Sequence, residues 1–251
     1  MIVDTHCHIH DSEFYLENRE EAYRTSRDAG VTMVCVGTNV KSSREAVDFC
    51  ASHDGCYPVV GVHPHDTDGA DIGEIRRLIE QNRDEIVGIG EIGLDYFYTH
   101  SSRQVQQAAL RQQLQMAVDF DLPVSFHVRE AFDDFWPIFD EFKGIRGVLH
   151  SFTDTQENLD KALERGLYIG VNGISTFTKQ PAQQELFRDL PLESILLETD
   201  APFLTPKPFR GKMNLPAYVA LVASHQADTK GVTEDEIRQA TTANAEKVFG
   251  I

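Results

Sequence analysis

Short runs rich in Val, Ile and Leu alternate with longer amphipathic stretches along the whole 251-residue chain. A short apolar run bounded by turn residues is typical of a buried strand, and the longer stretches have the apolar spacing of surface helices. Strands that are joined through helices run parallel, because a helical crossover returns the chain to the same edge of the sheet. The pattern predicts eight strands, at residues 2–6, 31–37, 57–63, 86–91, 123–128, 145–150, 167–172 and 194–200.

The helices predicted between these strands leave no room for a linker or a second core. They lie at residues 17–29, 42–52, 71–82, 103–120, 131–142, 156–165 and 182–190, and two more follow the last strand, at 216–226 and from 233 onward. This order predicts a single (β/α)8 barrel of the TIM type over residues 1–251, with extra C-terminal helices. The competing fold is a doubly wound open sheet, whose nucleotide-binding form needs a glycine-rich turn after an early strand. Gly88 and Gly90 lie inside the fourth predicted strand instead, which favours the barrel.

Composition argues against several classes of protein. The formal net charge is −17, which disfavours a long non-specific footprint on duplex nucleic acid. No apolar stretch approaches the roughly 20 residues of a membrane span, and no basic segment followed by an apolar one marks the chain for export. The four cysteines contain no Cys-x-x-Cys pair and are expected to be reduced thiols. These features predict a soluble, cytoplasmic protein without a membrane partner.

Residues able to bind a metal ion recur where the predicted strands end. His6 and His8 point to one side of the first strand, because strand side chains alternate between faces. Four more residues each close an apolar run, namely Glu91, His127, His150 and Asp200. All six would meet at one mouth of a barrel, where the carboxyl ends of the strands converge. Four imidazoles and two carboxylates are too many for one tetrahedral ion but suit two divalent ions about 3.5–4 Å apart.

Cationic and imidazole groups near the same mouth are candidates to hold the substrate. His63 ends the third predicted strand, and its role is open between metal ligand, phosphate contact and neither, with substrate contact favoured. Arg129 lies two residues beyond a predicted ligand, so it would bind phosphate in the mouth or pair with a neighbouring carboxylate. Lys207 and Arg210 lie in the loop after the last predicted strand and form a candidate anion site.

Other residues near the mouth allow two interpretations each. Glu198 would lie one layer deeper than the metal ligands, where it either orients them or is simply a hydrogen-bonded buried carboxylate. Asp95 starts the fourth loop, as a turn cap or as a site residue. Three loop aromatic residues are candidates to stack on a terminal base, Tyr96, Phe97 and Phe203. Four further histidines are expected in loops or on the surface, His10, His53, His100 and His225.

Six segments together carry a combination of motifs that is far more specific than His-x-His alone. They are Asp4-Thr5-His6-Cys7-His8, Gly61-Val62-His63-Pro64-His65, Gly88-Ile89-Gly90-Glu91-Ile92-Gly93-Leu94-Asp95, Pro123-Val124-Ser125-Phe126-His127-Val128-Arg129, His150-Ser151-Phe152 and Glu198-Thr199-Asp200-Ala201-Pro202. The chain in this respect resembles the TatD-type metal-dependent deoxyribonucleases of the amidohydrolase-like barrel superfamily. The resemblance implies a TIM-type barrel that binds two divalent ions through the six residues named above. It also implies hydrolysis of DNA phosphodiesters in the cytoplasm, from a 3′ end and on single strands.

The chain departs from the pattern of that family at two places. Thr153 and Asp154 stand where members usually continue the sixth-strand motif into a glycine. Leu215 stands where members usually have a glutamate, between Asn214 and Pro216. Because both positions belong to the expected rim of the site, the metal core would be unchanged while the choice of substrate could differ.

The mechanism expected from these residues is hydrolysis by a water molecule that two metal ions activate. One ion would be held by His6, His8 and Asp200 and the other by His127 and His150, with Glu91 as the catalytic bridging carboxylate. Asp200 would take the proton of the water. The identity of the ions stays open among zinc, manganese, nickel, iron and magnesium, of which magnesium suits four imidazoles least.

Two other functions remain open on the sequence alone. One is a metal-dependent hydrolase of a small amide, lactone or phosphoester, because the barrel fold and a pair of metal ions support many reactions. The other is a non-catalytic metal-binding module that recruits a partner. An aromatic pocket with a cationic rim would favour the nuclease, whereas a closed apolar pocket would favour the small-molecule hydrolase.

Overall fold

A computed structural model describes residues 1–15 and 18–251 and contains one sheet of eight parallel strands in chain order. The strands are β1 (Ile2–Cys7), β2 (Val31–Val36), β3 (Cys56–Val60), β4 (Gly88–Asp95), β5 (Val124–Arg129), β6 (Gly147–Leu149), β7 (Tyr168–Val171) and β8 (Ile195–Leu197). A bridge between Cys7 and Ala201 joins the ends of β1 and β8. The carboxylate of Asp4 accepts a hydrogen bond from the Thr199 backbone N–H at 2.8 Å, across a separation of 195 residues. The predicted barrel is therefore confirmed, and the open doubly wound sheet is wrong because the strand order never reverses.

Helices cover the outside of the barrel. They are α1 (Arg19–Asp28), α2 (Val40–Ser52), α3 (Ile72–Gln81), α4 (Arg103–Phe120), α5 (Phe132–Asp140), α6 (Gln156–Glu164), α7 (Ile174–Phe177), α8 (Pro181–Asp189), α9 (Val219–Lys230) and α10 (Glu234–Phe249). The predicted bounds of α4 match, whereas Glu17, the predicted start of the first helix, lies outside the described residues. The sequence pattern missed α7. Within the described ranges, no helix has the length and apolar character that crossing a bilayer requires.

Side-chain caps explain where several helices begin. The Asn39 side chain accepts a hydrogen bond from the Ser42 N–H at the start of α2, and Ser102 does the same for Val105 at the start of α4. Thr233 and Glu236 form a reciprocal capping box before α10. Each side chain satisfies backbone donors that have no partner within the first helical turn.

The floor of the barrel, where the strands start, is closed by α10. Valines and a leucine from five strands form an apolar cluster with Ala245, Val248 and Phe249 of α10. The Phe249 ring lies against Gly88, the first residue of β4. Because this end is packed, the opposite end, where the strands finish, is the open one.

Three of the expected strand-end residues lie inside strands, and the first is His6, which Cys7 follows in β1. Glu91 is the fourth residue of β4 and His127 the fourth of β5, so neither closes its strand as expected. The register of β4 on β5 shifts between Ile89 and Ile92, which places Glu91 in an irregular part of the strand. Such an irregularity redirects a side chain without ending the strand. Apolar runs in the sequence cannot reveal it.

Candidate metal centre

The six metal-binding residues expected from the sequence meet at the open end of the barrel. Strands β1, β4 and β5 supply His6, Glu91 and His127, and the residues just after β1, β6 and β8 supply His8, His150 and Asp200. Ligand atoms of these residues and of His63 form three groups in which all atoms lie within 4.8 Å of one another. The groups are His6 with His8 and Asp200, His6 with Glu91 and His150, and His63 with Glu91 and His127.

The first group, called here the β1/β8 half, consists of His6, His8 and Asp200. The Nε2 atoms of His6 and His8 lie 3.9 and 3.3 Å from Oδ1 of Asp200. The other ring nitrogen of each histidine is held by a neutral group. His6 Nδ1 is hydrogen-bonded to the Ser125 hydroxyl at 3.1 Å, and His8 Nδ1 donates to the Val36 carbonyl at 2.8 Å. These bonds aim both Nε2 atoms at the carboxylate, as metal-ligating histidines require.

The group on the other side, the β4/β5 half, consists of Glu91, His127 and His63. Oε1 of Glu91 lies 3.0 Å from His127 Nδ1 and 3.6 Å from His63 Nε2. Nε2 of His127 donates to Oδ2 of Asp95 at 2.9 Å, and His65 Nε2 is 3.0 Å from the same oxygen. Asp95 also caps the following turn by accepting the N–H groups of residues 97 and 98. Both interpretations of Asp95 therefore hold.

Glu91 and His150 connect the two halves. While Oε1 of Glu91 faces His127, its Oε2 lies 3.4 Å from His6 Nε2. His150 Nε2 is 3.9 Å from Oε1 of Glu91 and 3.7 Å from Oδ1 of Asp200. Its Nδ1 lies 3.0 Å from the buried carboxylate of Glu198. Glu198 thus lies against a histidine of the cluster and also accepts the Ser151 N–H at 2.7 Å, so its position fits both of its interpretations.

Burial and mutual charge shift the pKa values of this cluster. Burial raises the pKa of Glu91, but the neighbouring imidazoles of His63 and His6 outweigh it and hold that pKa well below its usual range. Burial lowers the pKa of His127, yet hydrogen bonds to Asp95 and Glu91 reverse this and raise it to about 9. Glu198 similarly outweighs the burial of His150 and raises its pKa to about 10. Ionised carboxylates surrounded by imidazoles are the electrostatic setting of a cation site.

The donor atoms fit a divalent metal ion. Nε2 of His6 is buried and has no hydrogen-bond partner among the described residues, although the acidic oxygens of Glu91 and Asp200 are nearby. A buried polar atom without a partner costs free energy, and a metal–nitrogen bond would remove that cost. Imidazole and carboxylate donors suit zinc, manganese and nickel.

An open cavity of about 660 Å³ lies above the cluster. Of the expected substrate contacts, His63 and Arg129 line it, whereas Lys207 and Arg210 are not among its lining residues in the described part of the chain. Arg210 donates to the Thr205 carbonyl at 2.9 Å, and its guanidinium lies 3.7 Å from the centre of the Phe177 ring.

Arg129 is available at the rim of this cavity. Among the described residues its guanidinium forms no salt bridge. It lies instead 3.8 Å from the centre of the Phe97 ring. Sequence reasoning missed several residues of the cavity lining, among them His65, Phe14 and Tyr98. The sequence could have indicated His65, because it lies two residues beyond His63.

Several secondary expectations are corrected by the structure. His10 lies in the loop after β1, one of its two expected places, but it is fully buried and not on the surface, and its Nε2 is hydrogen-bonded to the Ser42 hydroxyl at 3.1 Å. Tyr96 hydrogen-bonds to Asp134 at 2.7 Å and does not line the cavity. Leu215 packs against the apolar core and is not among the cavity-lining residues in the described part of the chain.

Asp154, the other departure from the family pattern, lies at the start of α6. Its Oδ1 accepts hydrogen bonds from the Thr155 N–H at 2.8 Å and from Asn158 Nδ2 at 2.6 Å. It also lines a small side cavity of about 200 Å³ that shares Arg129 and His150 with the main one. Asp154 therefore borders the site, whereas Leu215 does not.

Comparisons with known proteins agree with this geometry. The family described as TatD related DNase matches residues 3–250. The chain is 36% identical to "3'-5' ssDNA/RNA exonuclease TatD" of Citrobacter rodentium, over 96% of this chain and 95% of that protein. It is 32% identical to "Uncharacterized metal-dependent hydrolase YabD" of Bacillus subtilis, over the full length of both. The crystal structure of the TatD homologue YjjV of Escherichia coli superposes with a TM-score of 0.92 at 27% identity, covering 100% of this chain and 98% of that one.

Proposed function

The chain belongs to the family of TatD-related DNases, metal-dependent hydrolases that act on ester bonds, and from that premise we propose that it removes nucleotides from the 3′ end of single-stranded DNA. Relatives named as 3'-5' exonucleases on single-stranded DNA and RNA support this polarity and substrate. A cytoplasmic location is part of the same proposal.

The observation that carries the proposal is the position of Glu91 between two groups of donors. One of its oxygens faces His6 at 3.4 Å and the other faces His127 at 3.0 Å. A carboxylate in this position supports two ions that act on one phosphate, the arrangement of many nucleases. His6, His8 and Asp200 would hold the first ion. His127 and His150 would hold the second, and His63 reaches the same oxygen of Glu91 at 3.6 Å.

In this reaction a water oxygen forms a bond to phosphorus, and the bond from phosphorus to the 3′ oxygen of the preceding nucleotide breaks. Divalent ions bound here would lower the pKa of that water and neutralise charge on the phosphate. Asp200 accepts the proton, because the imidazole neighbours hold its pKa below the usual range despite burial and so keep it ionised. The departing 3′ oxygen takes a proton from solvent.

Arg129 supports a phosphodiester substrate over a small neutral one. The chain as a whole carries a formal net charge of −17, so a phosphate needs a local cation at the mouth. The Arg129 guanidinium lies at the rim of the cavity, and its planar fork matches two phosphate oxygens. Lys207 and Arg210 lie beyond the cavity lining and would meet only a longer strand. An open cavity with this rim is unlike the closed apolar pocket that a small amide or lactone favours.

The test is degradation of 5′-labelled and 3′-labelled single-stranded DNA and RNA by metal-stripped protein after addition of magnesium, manganese or zinc. Wild type should shorten DNA stepwise from the 3′ end only with metal. His127→Ala and Asp200→Asn should each lose about 100-fold or more of this turnover, while Asp189→Asn, an exposed carboxylate paired with Arg188 on α8, should retain it.

Two results would count against the proposal. Intact DNA under every metal, together with hydrolysis of a small ester or amide, would move the function to small molecules. Full metal-dependent turnover by Asp200→Asn would remove the base assignment while leaving the nuclease in place.

A further inference from the structure

Exposed aromatic side chains are concentrated at the mouth of the cavity. Among the described residues, seven large hydrophobic side chains are exposed, and four of them are aromatic: Phe14, Tyr98 and Phe203 line the cavity, and Phe97 packs against Tyr98. Their exposed fractions lie between 37% and 48%. Exposed apolar surface gathered at one place usually marks a binding surface, whereas single scattered residues need no explanation.

The four rings form two pairs. Phe14 and Phe203 meet edge to face with ring centres 5.0 Å apart, and each lies 6.2–6.3 Å from the ring of His8. Phe97 and Tyr98 meet in the same way at 4.7 Å. In an edge-to-face pair one ring supports the other. Because the Arg129 guanidinium lies over the Phe97 ring at 3.8 Å, Tyr98 is the ring of the second pair that faces the cavity.

The two pairs lie on opposite sides of the metal centre. The first pair belongs to the loops after β1 and β8, and the second to the loop after β4, beside Arg129 at the end of β5. In a closed ring of eight strands in chain order, β1 and β8 are diametrically opposite β4 and β5. The same axis passes from the β1/β8 half of the metal centre through Glu91 to the β4/β5 half. A scissile phosphate at Glu91 would therefore have one aromatic pair on each side.

We propose that these pairs are two separate stacking platforms, one for the base on each side of the scissile bond. The inference rests on the proposed nuclease function and names its substrate more closely, as a strand with at least two unpaired nucleotides at its 3′ end. Stacking on aromatic rings tolerates every base, because each base has a flat π face. Arg129, which lies 3.8 Å from Phe97, adds a cation beside the second platform for the strand phosphates.

The chemistry of the reaction assigns each platform to one base. Asp200, the proposed base, lies beside the first platform, since its carbonyl accepts the N–H of Phe203 at 2.7 Å. Water activated there attacks phosphorus from that side, and in an in-line displacement the 3′ oxygen of the preceding nucleotide leaves on the far side. The preceding nucleotide thus belongs to the Phe97–Tyr98 platform. The terminal nucleotide, which keeps the phosphate, belongs to the Phe14–Phe203 platform.

The experiment pairs protein variants with DNA that lacks one base. Three otherwise identical single strands carry a full sequence, a stable abasic residue at the 3′ terminus, or an abasic residue at the penultimate position. Wild type, Phe203→Leu and Tyr98→Leu are loaded with manganese, and release of the first nucleotide is measured under subsaturating conditions. Val118→Ala on α4 is the control, an exposed apolar residue near the floor end of the barrel. Phe203→Tyr, which keeps a ring face, tests for rescue.

Each lost base should cost wild type about tenfold in kcat/KM. Phe203→Leu should lose about tenfold on full DNA, nothing further when the terminal base is absent, and another tenfold when the penultimate base is absent. Tyr98→Leu should also lose about tenfold on full DNA, nothing further when the penultimate base is absent, and another tenfold when the terminal base is absent. Val118→Ala and Phe203→Tyr should behave like wild type.

Three results would overturn the inference. Equal losses for both variants on all three substrates would contradict two separate platforms. The opposite pairing of variants and positions would contradict the assignment of sides. Wild-type protein that leaves all three strands intact but hydrolyses methyl p-nitrophenyl phosphate would overturn the proposed function as well, so the two failures differ.

Discussion

The two halves of the metal centre hold their histidines by different means. In the β1/β8 half, a hydroxyl and a backbone carbonyl orient His6 and His8. In the β4/β5 half, carboxylates on both sides hold His127, Glu91 at 3.0 Å and Asp95 at 2.9 Å. Neutral partners fix only the direction of a ring, whereas carboxylates also stabilise its charged form.

This difference determines what a metal ion must displace. Burial lowers the pKa of His6, so its ring is neutral and ready to bind. The pKa of His127 is about 9, so at neutral pH its ring carries a proton that an ion must replace. Asp200 also raises the pKa of His8 against the effect of burial, so the contrast is between His6 and His127. At neutral pH we therefore expect the β1/β8 half to bind its metal ion at a lower metal concentration than the β4/β5 half.

Replacement of Glu91, the carboxylate shared by both halves, should have the largest effect on turnover. Glu91→Gln replaces a bridging carboxylate by an amide that carries no charge, so turnover should fall about 10³-fold. Bound metal, measured by elemental analysis after gel filtration, should fall in both halves. Glu157→Gln, an exposed carboxylate paired with Lys161 on α6, is the matched control. Unchanged metal content in Glu91→Gln would show that the halves are independent.

The affinity of the second site, held by His127 and His150, for its metal ion should change about 100-fold between pH 8 and pH 7. These two histidines are protonated below pKa values of about 9 and about 10 in the metal-free protein, and a bound ion must displace both protons. Apparent affinity for the weaker ion should therefore rise about 100-fold per pH unit below pH 9, more slowly up to pH 10, and then level off. Competition with a chelator at pH 7, 8 and 9 measures this. A flat profile would mean that His127 is neutral before the ion arrives.

Asp95→Asn should lower the affinity of the β4/β5 half for its metal ion about tenfold. The variant keeps a hydrogen-bond acceptor for His127 but removes the charge that fixes the ring, and losses of this size are usual for such partners. It should also flatten the pH profile of the weaker ion. Calorimetric titration with manganese measures both effects. Asp134→Asn, whose carboxylate binds Tyr96 outside the cavity, should behave like wild type. An equal loss of affinity for both ions would contradict the expectation that Asp95 acts only on the β4/β5 half.

Ser125→Ala should have the smallest effect, about threefold on the affinity of the tighter ion. It removes one neutral hydrogen bond to His6 Nδ1, at 3.1 Å, and such bonds contribute modestly. The same titration measures it, with Ser52→Ala on the exposed end of α2 as control. A loss as large as that of Asp95→Asn would mean that the two halves do not differ in the strength of their supports.

The sequence allowed the barrel and the meeting of six candidate metal ligands at its mouth to be predicted, because both depend on local regularities. Strand alternation alone orients His6 and His8 together, and parallel strands bring their ends to one mouth. The interactions that the sequence did not reveal depend on distant contacts. His63 joins Glu91 and His127 through the shift of register in β4. Arg210 lies on the ring of Phe177, in a short helix that no periodicity indicated.

Closure of the barrel also sets an order of events during synthesis. Asp4 meets Thr199 across 195 residues, and the neighbours of these two residues, His6 and Asp200, complete the β1/β8 half. At about 5–20 residues per second, on the order of 10–40 s separate the emergence of these two parts from the ribosome. During that interval the growing chain carries His6 and His8 without the carboxylate that completes their site. The half with the ring nitrogens best prepared for metal is therefore the last to be completed, and the ion it keeps is chosen only after Asp200 has been synthesised.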